Sequence, residues 1–600
     1  MHRPNEEELE QLSKVEHAKH NGRNLRGTIA TTLADEQASH FGDDDIQLLK
    51  FHGVYQQDDR DERIARKKAG QDKAWQFMTR IGTPGGQCTA EQYLDMDRLA
   101  ETHANGTLRL TTRQAFQLHG ILKGNLKDSL KQIHDALLKT MAACGDIPRN
   151  MMAPPACFAD EAYQQAAVLA ADLSRELAPA TGAFHEIWID GEKHLASDSQ
   201  TLNENGDVIE REEPFYGSNY LPRKFKIAVA LDVDNSTDLW ANDCGLLAIT
   251  EPAPTQQNPA ARRTLGYNLY VGGGLGMTHN KPETFARMAS PVAYVKPEHA
   301  VEAVRGVVAL FRDHGNRSER RNARIKYLID AWGVEAFRAK LAEYVPFELS
   351  LPRDVPEPKQ LDHLGRHDQG DGRQFYGVWV ENGRIKDVEN GPAYRTAFRE
   401  IVQKHRPTVR LTPMQSVLFC DLSPDQVDDV IAVLQKHNVP TVESISNARR
   451  YSMACPALPT CGLALADAER IFPAVVEVLE HELERLGLAD VELTLRMTGC
   501  PNGCARPYNA DIGFVGRKPG VYHVFVGGGL AGDRLADLWA ADVKIDAVAD
   551  SLRPLFMQYK QDRKPGENLS DFYNRYVGAT ERRTKITGKE EPRSVKLAVL

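Results

Sequence analysis

The sequence has little cysteine, no long apolar run and no excess of positive charge. Nine cysteines in 600 residues are far too few for a disulfide-based scaffold. No stretch reaches the roughly 18 consecutive apolar residues of a membrane-spanning helix, and the acidic start MHRPNEEELEQL has no apolar core of a signal peptide. A formal net charge of −9 argues against non-specific nucleic-acid binding. We therefore expect a cytoplasmic protein with neither a membrane nor a nucleic-acid partner.

The chain repeats itself once. TLRLTTRQ at 107–114 resembles TVRLTPMQ, which lies 301 positions later, and RNMMAPPA at 149–156 resembles RYSMACPA at the same offset. A third segment, YNLYVGGGL at 267–275, is matched by YHVFVGGGL only 255 positions later, so the first copy carries extra length. Similarity that keeps one register over two blocks indicates two related halves.

Helix-like and strand-like stretches alternate along the chain, which predicts an α/β (α+β) protein. One of the predicted helices spans 465–487. We expect the halves to be related by a pseudo-twofold axis, with a cofactor site where they meet. The predicted segments are an N-terminal extension 1–70 outside the repeat, a first half-repeat 71–150, a first lobe 151–345, a Pro-, Asp- and Gly-rich linker 346–372, a second half-repeat 373–448 and a second lobe 449–600.

Four cysteines form two close pairs in the second half. CPALPTC carries Cys455 and Cys461, and GCPNGC carries Cys500 and Cys504. Thiolates select zinc, Cu(I) or iron–sulfur clusters, and structural zinc sites commonly use tighter C-x2-4-C spacing. The spacing favours an iron–sulfur cluster and leaves zinc or unliganded thiols as alternatives. The first copy has Pro154 in place of Cys455, so only the second half carries the clustered thiols. The isolated cysteines are predicted to be small buried apolar residues.

A cationic group of residues lies in the other half. LPRKFK leads into the apolar run IAVAL, and strand alternation puts Lys224 and Lys226 on one face and Phe225 on the other. Two such charges 4 Å apart repel by about 4 kcal/mol at an effective dielectric of 20, unless an anion lies between them. The alternative is a solvated sheet edge, where lysines prevent pairing with another strand. Further cations in segments patterned as core favour an anion site; these are Arg80, Arg109, Arg113, Arg149 and Arg223.

Two further motifs carry weaker signals. GGGLAG at 527–532 matches a dinucleotide-binding fingerprint, but its counterpart GGGLGM at 272–277 lacks the third glycine. We interpret both as structural glycines where backbones pass closely, and expect no NADPH site on this chain. His119 is predicted to be a hydrogen-bonded core histidine rather than an iron ligand.

Taken together, the sequence resembles the sirohaem-dependent sulfite and nitrite reductases from about residue 22 onward, and among them the haemoprotein subunits of NADPH-dependent bacterial sulfite reductases. The motifs that carry the resemblance are LRGTIA, FHGVYQQDDRD, RLTTRQAFQLHG, YLPRKFK, YNLYVGGGL, SMACPALPTC and TGCPNGCARP. The resemblance implies a duplicated sulfite/nitrite reductase fold, with ferredoxin-like halves and two larger cofactor-binding lobes.

The resemblance also implies roles for individual residues. A [4Fe–4S] cluster would be held by Cys455, Cys461, Cys500 and Cys504, with Cys504 also reaching the sirohaem iron and Asn502 beside the cofactor. Sulfite would be bound by Arg80, Arg149, Lys224 and Lys226. Carboxylates of sirohaem would pair with Arg109 and Arg113, and Arg223 would serve either group. Gly82 and Gly145 depart from the family, which often has Arg and Asn at these positions.

The implied activity is the six-electron reduction of sulfite to sulfide in sulfur assimilation and cysteine biosynthesis. A sirohaem nitrite reductase, producing ammonia from nitrite, is the nearest alternative, although those enzymes often carry Asn where this chain has Lys226. A non-catalytic scaffold with zinc held by the four cysteines and a pure electron relay are alternatives that leave the cations unexplained. The implied electron donor is an NADPH-oxidising diflavin subunit with FAD and FMN, with ferredoxin as the alternative.

Overall fold

The structure is a computed structural model that describes residues 5–181, 183, 187–189, 192–194, 200–202, 208–210, 213–356, 358–579 and 581–592. Helices and strands are mixed throughout this part of the chain, as the sequence predicts. Within it, no helix combines the length and the apolar character needed to cross a bilayer.

Each half-repeat forms one five-stranded antiparallel sheet with two helices packed on it. In spatial order, the strands of the first sheet are Val54–Asp58, Trp75–Ile81, Phe116–Ile121, Leu108–Leu110 and Arg384–Ile385, and its helices are Ala90–Thr102 and Lys123–Asp135. Those of the second are Gly365–Asp368, Gln374–Val378, Val417–Leu422, Thr408–Leu411 and Gln87–Cys88, with helices Tyr394–His405 and Pro424–Lys436.

The two sheets exchange their last strands. Gln87–Cys88 of the first half pairs with Thr408–Leu411 of the second, and Arg384–Ile385 of the second pairs with Leu108–Leu110 of the first. Apolar side chains of both halves accordingly form one continuous buried core. The exchange gives the pseudo-twofold relation that the repeat predicts and makes the two halves one structural unit.

Each lobe is built on a mixed sheet. The first contains Ile227–Leu231, Cys244–Pro252, Arg262–Val271 and Ser290–Val295, with helices Glu161–Glu176, Ala300–His314, Ile325–Trp332 and Val334–Leu341. The second contains Ser452–Ala454, Leu495–Thr498, Ile512–Lys518, Val521–Val526 and Asp537–Lys544, with helices Asn447–Arg450, Phe472–Leu486, Val548–Asp562 and Leu569–Tyr576.

Two predicted boundaries need correction. Residues 1–70 do not lie wholly outside the repeat, because Val54–Asp58 is the edge strand of the first sheet. The linker 346–372 likewise contains the strand Gly365–Asp368, which edges the second sheet. Both edge strands are short and polar, so their apolar alternation is too weak to read from sequence. The extension also contains the helices Glu6–Glu10, Lys14–His20, Ile29–Ala34, Asp43–Leu49 and Arg63–Lys68.

The prediction for the isolated cysteines is only partly right. Cys88, Cys144 and Cys244 are buried free thiols. Cys157 and Cys420 instead form a disulfide across 263 positions, with their Cα atoms 6.4 Å apart. It joins the loop after MMAPPA to the strand Val417–Leu422. The two cysteines are far apart in sequence and neither belongs to a cysteine motif. Only the tertiary fold brings them together.

The glycine-rich turns are structural, as predicted. A Cβ atom on Gly273 would lie 2.2 Å from the carbonyl oxygen of Trp240, and one on Gly528 would lie 2.3 Å from the carbonyl carbon of Asn509. Real side chains do not fit at such distances. These turns therefore need glycine because backbone passes directly against backbone.

Candidate active site and metal centre

A cavity lies where the first half-repeat meets both lobes. It contains about 480 Å³ of space outside protein atoms, part of it open to solvent. Its wall is strongly polar, and it joins the cationic segment of the first lobe to the last cysteine of the second. The lining residues are Thr112, Arg113, Met152, Lys224, Lys226, Thr237, Ala241, Asn242, Leu275, Gly276, Arg324, Asn502, Gly503, Cys504 and Arg506.

Lys224 and Lys226 share this wall, as strand alternation predicts. Phe225 points the opposite way into the apolar core, with its ring centre 5.6 Å from that of Phe311. The backbone of Lys226 is fixed on both sides: its N–H donates to Asp243 Oδ2 at 2.9 Å, and its carbonyl accepts from the N–H of Cys244 at 3.0 Å. The two ammonium groups are thus aimed into the cavity by a rigid backbone.

The electrostatics of this wall are unfavourable without an anion. Burial, then repulsion from Arg223 and Arg324, lowers the pKa of Lys224 to about 7. Burial and then Lys224 hold the pKa of Lys226 well below its ordinary value. Among the described residues, neither ammonium group donates a hydrogen bond to a protein acceptor. Both lysines are partly buried, and a cation held away from bulk water without a partner is costly. This wall therefore favours the binding of an acceptor.

Arg113 contributes a third cation to the wall. Its Nη1 donates to Asn242 Oδ1 at 2.8 Å, and its Nη2 donates to the carbonyls of Asn150 at 2.6 Å and Ile227 at 3.0 Å. These bonds orient the guanidinium, but its buried Nε has no acceptor. One donor therefore remains for an anion in the cavity.

Three other predicted cations lie beside the cavity without lining it. Arg149 donates from Nε to the carbonyl of Gly145 at 3.0 Å and hydrogen-bonds Tyr55. Arg80 lies over the Tyr55 ring at 5.9 Å, and the Gln117 amide, oriented with its oxygen toward Arg80, accepts from Nη2 at 2.6 Å. The third cation, Arg223, lies 3.9 Å from an oxygen of Asp146.

Sequence reasoning missed a contribution of the N-terminal extension to this region. Besides Tyr55, the extension supplies Lys50, whose pKa is lowered to about 8 by burial and by the positive charges of Arg320, Arg223 and Arg149. Both residues fall in a segment whose periodicity is weak. Tyr55 lies in FHGVYQQDDRD, one of the motifs that carry the family resemblance, but nothing in that motif indicates a contact with Arg149.

Gly145, one of the two departures from the family pattern, has a local explanation. Its φ is +89°, and a Cβ there would lie 2.8 Å from the ring of Phe51. The position is therefore restricted to glycine by both backbone and packing. The backbone carbonyl of Gly145 still accepts a hydrogen bond from Arg149. The loop therefore orients the Arg149 side chain through its backbone alone.

The four clustered cysteines come together in the second lobe. Cys455, Cys500 and Cys504 interact electrostatically with one another, and Cys461 interacts with Cys504. Burial raises the pKa of Cys455 well above its ordinary value and that of Cys500 to about 12. Buried thiols of this kind are deprotonated only when a cation compensates the charge.

Backbone N–H groups are aimed at three of these sulfur atoms. The N–H of Gly499 donates to Cys455 Sγ at 3.4 Å, those of Leu463 and Ala464 donate to Cys461, and that of Asn502 donates to Cys500. N–H donors of this kind stabilise sulfur that carries negative charge, as in iron–sulfur clusters.

No preformed site for a single metal ion is found among the described residues. Across the described residues, no three Cys, His, Asp or Glu side chains converge closely enough to hold a single metal ion. Zinc requires its donors about 2.0–2.3 Å from one centre.

Cys504 and Asn502 connect the thiol group to the cavity. Cys504 is exposed on the cavity wall, and its carbonyl accepts from Thr112 Oγ1 at 3.2 Å. Asn502 also lines the wall and donates from Nδ2 to Cys500 Sγ at 3.4 Å. The two groups of residues found in the sequence are thus adjacent parts of one site.

Arg109 does not lie on the cavity wall. It is 2% exposed and donates to Glu469 Oε2 at 2.9 Å and to the carbonyls of Ala454 at 2.9 Å and Asn382 at 3.2 Å. The expected pairing with a cofactor carboxylate therefore needs correction, because these donors are already satisfied inside the protein. The neighbouring Arg113, four positions on, is the one that reaches the cavity.

His119 is a core histidine, but it is not hydrogen-bonded as predicted. It is 2% exposed, and neither ring nitrogen has a partner. Burial, followed by the charges of Arg384 and Arg109, holds its pKa well below the ordinary value. The ring is therefore neutral, because a second proton would add charge beside two guanidinium groups.

Other residues that organise the site were not predicted, although Arg506 lies in the motif TGCPNGCARP. Arg324 binds Asp243 with two hydrogen bonds of 3.0 and 2.6 Å, and so supports the backbone of Lys226. Asp238 accepts from Arg496 at 2.9 Å and pairs with Arg506, two residues after Cys504. Isolated charged residues of this kind are indistinguishable in sequence from solvated ones.

Two protein-family models match this chain. A model described as "Nitrite/Sulfite reductase ferredoxin-like half domain" matches residues 69–136 and 367–437. A second, described as "Nitrite and sulphite reductase 4Fe-4S domain", matches residues 172–349, in the first lobe. The clustered cysteines lie outside that match, in the lobe related to it by the repeat.

Full-length relatives and a solved structure also match. A sulfite reductase (ferredoxin) of Synechococcus elongatus is 44% identical, covering 94% of this chain and 90% of that protein. Sulfite reductase (NADPH) hemoprotein beta-components of Staphylococcus haemolyticus and Methylobacterium nodulans are 41% and 43% identical, covering 94% of this chain and 95% and 90% of theirs. The structure of Mycobacterium tuberculosis NirA protein superimposes with a TM-score of 0.74 at 25% identity, covering 94% and 96% of the two chains.

Proposed function

Because this chain belongs to the nitrite and sulphite reductase family, we propose that it is a sulfite reductase that reduces sulfite to sulfide with six electrons. Its fold, with two ferredoxin-like halves and two lobes, is the fold of that family. Sulfite reductases that cover almost the whole chain favour this activity over nitrite reduction. Sirohaem and a [4Fe–4S] cluster are its cofactors.

The residues present fit both cofactors. N–H groups aimed at Cys455, Cys461 and Cys500 suit cluster sulfur ligands. The unpaired Nε of Arg113 suits a carboxylate at the cavity wall. We propose that the four cysteines hold the cluster and that Cys504, which faces the cavity, joins it to the sirohaem iron. When bound, the two groups supply electrons one at a time to the sulfur atom of the substrate.

One observation carries the substrate assignment: Lys224 and Lys226 point into the cavity that Cys504 lines, and neither has a protein acceptor among the described residues. We propose that these ammonium groups bind sulfite oxygens and donate protons as the S–O bonds break. Arg149 and Arg80, beside the cavity, extend the positive potential, and Arg223 serves either the substrate or a cofactor carboxylate.

The distinction between sulfite and nitrite reduction is tested by turnover. We expect the holoenzyme to reduce sulfite with a kcat/KM well above that for nitrite, because two ammonium groups match an oxyanion of higher charge. Both substrates are assayed with the same chemically reduced dye as donor, so that the choice of partner does not enter. A clear preference for nitrite would contradict the proposal.

Sulfite affinity should depend on the protonation of Lys224. With a pKa of about 7, the Lys224 side chain is charged below pH 7 and mostly neutral above it, in a range where an ordinary lysine is still charged. Protonation favours anion binding, so affinity should fall as pH rises above about 7, by up to tenfold per unit for one proton. The same depressed pKa makes folding less favourable as pH falls toward 7, since the unfolded chain then binds the extra proton.

The control for this dependence is Lys224→Arg, since a guanidinium stays charged over the whole range. Any titration of sulfite itself affects both proteins equally. We expect the dissociation constant of the variant to change less steeply with pH than that of the wild type, measured by spectroscopic titration from pH 6 to 9. Identical slopes would exclude Lys224 as the titrating group.

Electrons are supplied by a separate protein. We propose an NADPH-oxidising flavoprotein with FAD and FMN as this donor, since most of the similar proteins are named as NADPH-dependent beta-components. A ferredoxin is the second candidate, favoured by the Synechococcus relative. Steady-state reduction of sulfite with each purified donor distinguishes them.

A further inference from the structure

Two arginines face each other across the exchanged strand of the first sheet. Arg384, on the strand contributed by the second half, is the direct pairing partner of Arg109. Like charges directly opposite on adjacent strands destabilise a sheet. Here Glu469 of the second lobe lies between them: it accepts from Arg384 Nε at 2.6 Å and Nη2 at 3.0 Å, and from Arg109 Nε at 2.9 Å. We call these three residues the ion triad.

The ion triad is buried and carries a net charge of one positive unit. The side chains of Arg109, Arg384 and Glu469 are 2%, 13% and 15% exposed. Three guanidinium N–H groups, two from Arg384 and one from Arg109, donate to the carboxylate of Glu469, so it is present as the anion. His119, which lies beside the triad, stays neutral. The triad therefore keeps one guanidinium charge in excess.

The ion triad is bonded directly to the loop that carries Cys455. The backbone N–H of Glu469 donates to the carbonyl of Cys455 at 3.1 Å, and Arg109 Nη2 donates to the carbonyl of Ala454 at 2.9 Å. Arg109 and the thiol of Cys455 interact electrostatically. None of the three residues lines the substrate cavity. The triad therefore acts on the thiol loop and not on the substrate.

We propose that the ion triad positions the Cys455 side of the iron–sulfur cluster and sets its reduction potential. It does so by holding one positive charge beside that ligand in a buried place where Coulomb interactions are strong. Net charge near a cluster is a main determinant of its potential, because the reduced state carries an additional negative charge. The inference rests on the proposed function in taking Cys455 as a cluster ligand.

The test is the midpoint potential of the cluster in the purified holoenzyme, followed by EPR during a redox titration. Arg384→Gln removes the positive charge and should lower the potential. Glu469→Gln removes the negative charge and should raise it. We expect each change to be about tenfold in the one-electron equilibrium, which is 59 mV. The double variant restores the net charge and should return close to the wild-type potential.

Two matched variants separate charge from general disruption. Arg384→Lys keeps the charge while losing the forked geometry, so its potential should stay near the wild-type value. Arg395→Gln breaks another buried ion pair between the halves, with Asp97 at 2.6 Å, that makes no hydrogen bond to the thiol loop. Its potential should not change.

The outcomes distinguish this inference from the proposed function. If the wild-type protein contains no cluster by iron analysis and EPR, the proposed function fails. If the cluster is present but both single variants leave its potential unchanged, or shift it in the same direction, the ion triad does not set the potential. If a variant keeps its fold by circular dichroism but loses iron, the positioning role is supported directly.

Discussion

Replacement of Asp238 by Asn should lower the free energy of unfolding by about 3–5 kcal/mol, the cost of removing one partner from a buried ion pair. Asp238 is completely buried in the first lobe. Its carboxylate oxygens bind three residues of the second lobe. It accepts from Arg496 Nη1 at 2.9 Å and from Asn509 Nδ2 at 3.1 Å, and it pairs with Arg506. The variant leaves two buried guanidinium groups without a full counter-charge.

The same substitution should weaken cofactor retention. Arg506 follows Cys504 by two residues and donates to the carbonyls of Thr112 at 3.1 Å and Pro413 at 3.2 Å, in the turns of both half-repeats. When Asp238 no longer holds Arg506, the loop that carries Cys504 loses one of its anchors. We therefore expect a lower iron content in the purified variant as well as a lower unfolding midpoint in denaturant.

Asp542→Asn is the matched control. Asp542 also has a left-handed backbone, with φ of +50° against +53° for Asp238, but its side chain is 63% exposed. Asparagine tolerates this conformation, so both variants preserve the backbone and differ only in burial. The control should change stability by no more than about 0.5 kcal/mol. Equal effects of the two substitutions would show that the buried charge of Asp238 is unimportant.

Replacement of Lys226 by Met should reduce kcat/KM for sulfite by about 10²–10³ without destabilising the protein. The magnitude is that of losing one donor that stabilises charge in a transition state. Methionine preserves most of the unbranched stem, so packing is retained. Because burial, Lys224 and Arg113 already disfavour the charge of Lys226, its removal should leave the melting temperature unchanged or higher. The substitution should therefore lower activity without lowering stability, as expected for a residue whose role is functional.

Lys326→Met provides the contrasting case. Lys326 is also buried, but its ammonium group donates to the carbonyls of Gly274 at 3.0 Å, Gly276 at 2.8 Å and Phe285. Removing it leaves buried acceptors unsatisfied, so this variant should melt at a lower temperature. If Lys226→Met melts as early as Lys326→Met, or keeps wild-type turnover, the role assigned to Lys226 is wrong.

Short motifs allowed the centre of the site to be predicted from sequence. The cysteine pairs and LPRKFK have fixed local spacing, and strand alternation correctly gives the two lysines, Lys224 and Lys226, the opposite orientation to Phe225. The pseudo-twofold relation of the two halves followed in the same way from the internal repeat. In each case the information lies within a few neighbouring residues, or in two copies of the same segment.

Partners brought together only by tertiary folding could not be predicted. Arg109 and Glu469 are 360 positions apart, and nothing in either segment indicates that the arginine bonds the thiol loop instead of a cofactor. The strand exchange that brings Arg384 beside them involves only two residues on each strand. Pairings of this length leave no hydrophobic alternation to detect.

Element ends were also predicted less well than element types. The predicted helix 465–487 begins only at Phe472, because the preceding residues serve the thiol loop instead. Glu469 bonds the carbonyl of Cys455, and Leu465 and Ala466 donate to the carbonyl of Gly499. Local helical periodicity is therefore overridden by contacts with the loops that carry the thiols.

We propose that one site combines a sirohaem–cluster centre with a cationic substrate cavity. The most direct test is the visible absorption spectrum of the reduced holoenzyme before and after sulfite is added. We predict a sirohaem spectrum that shifts when sulfite binds, and a smaller shift at the same sulfite concentration in Lys226→Met. A colourless, zinc-containing protein purified from cells able to make sirohaem would contradict the account.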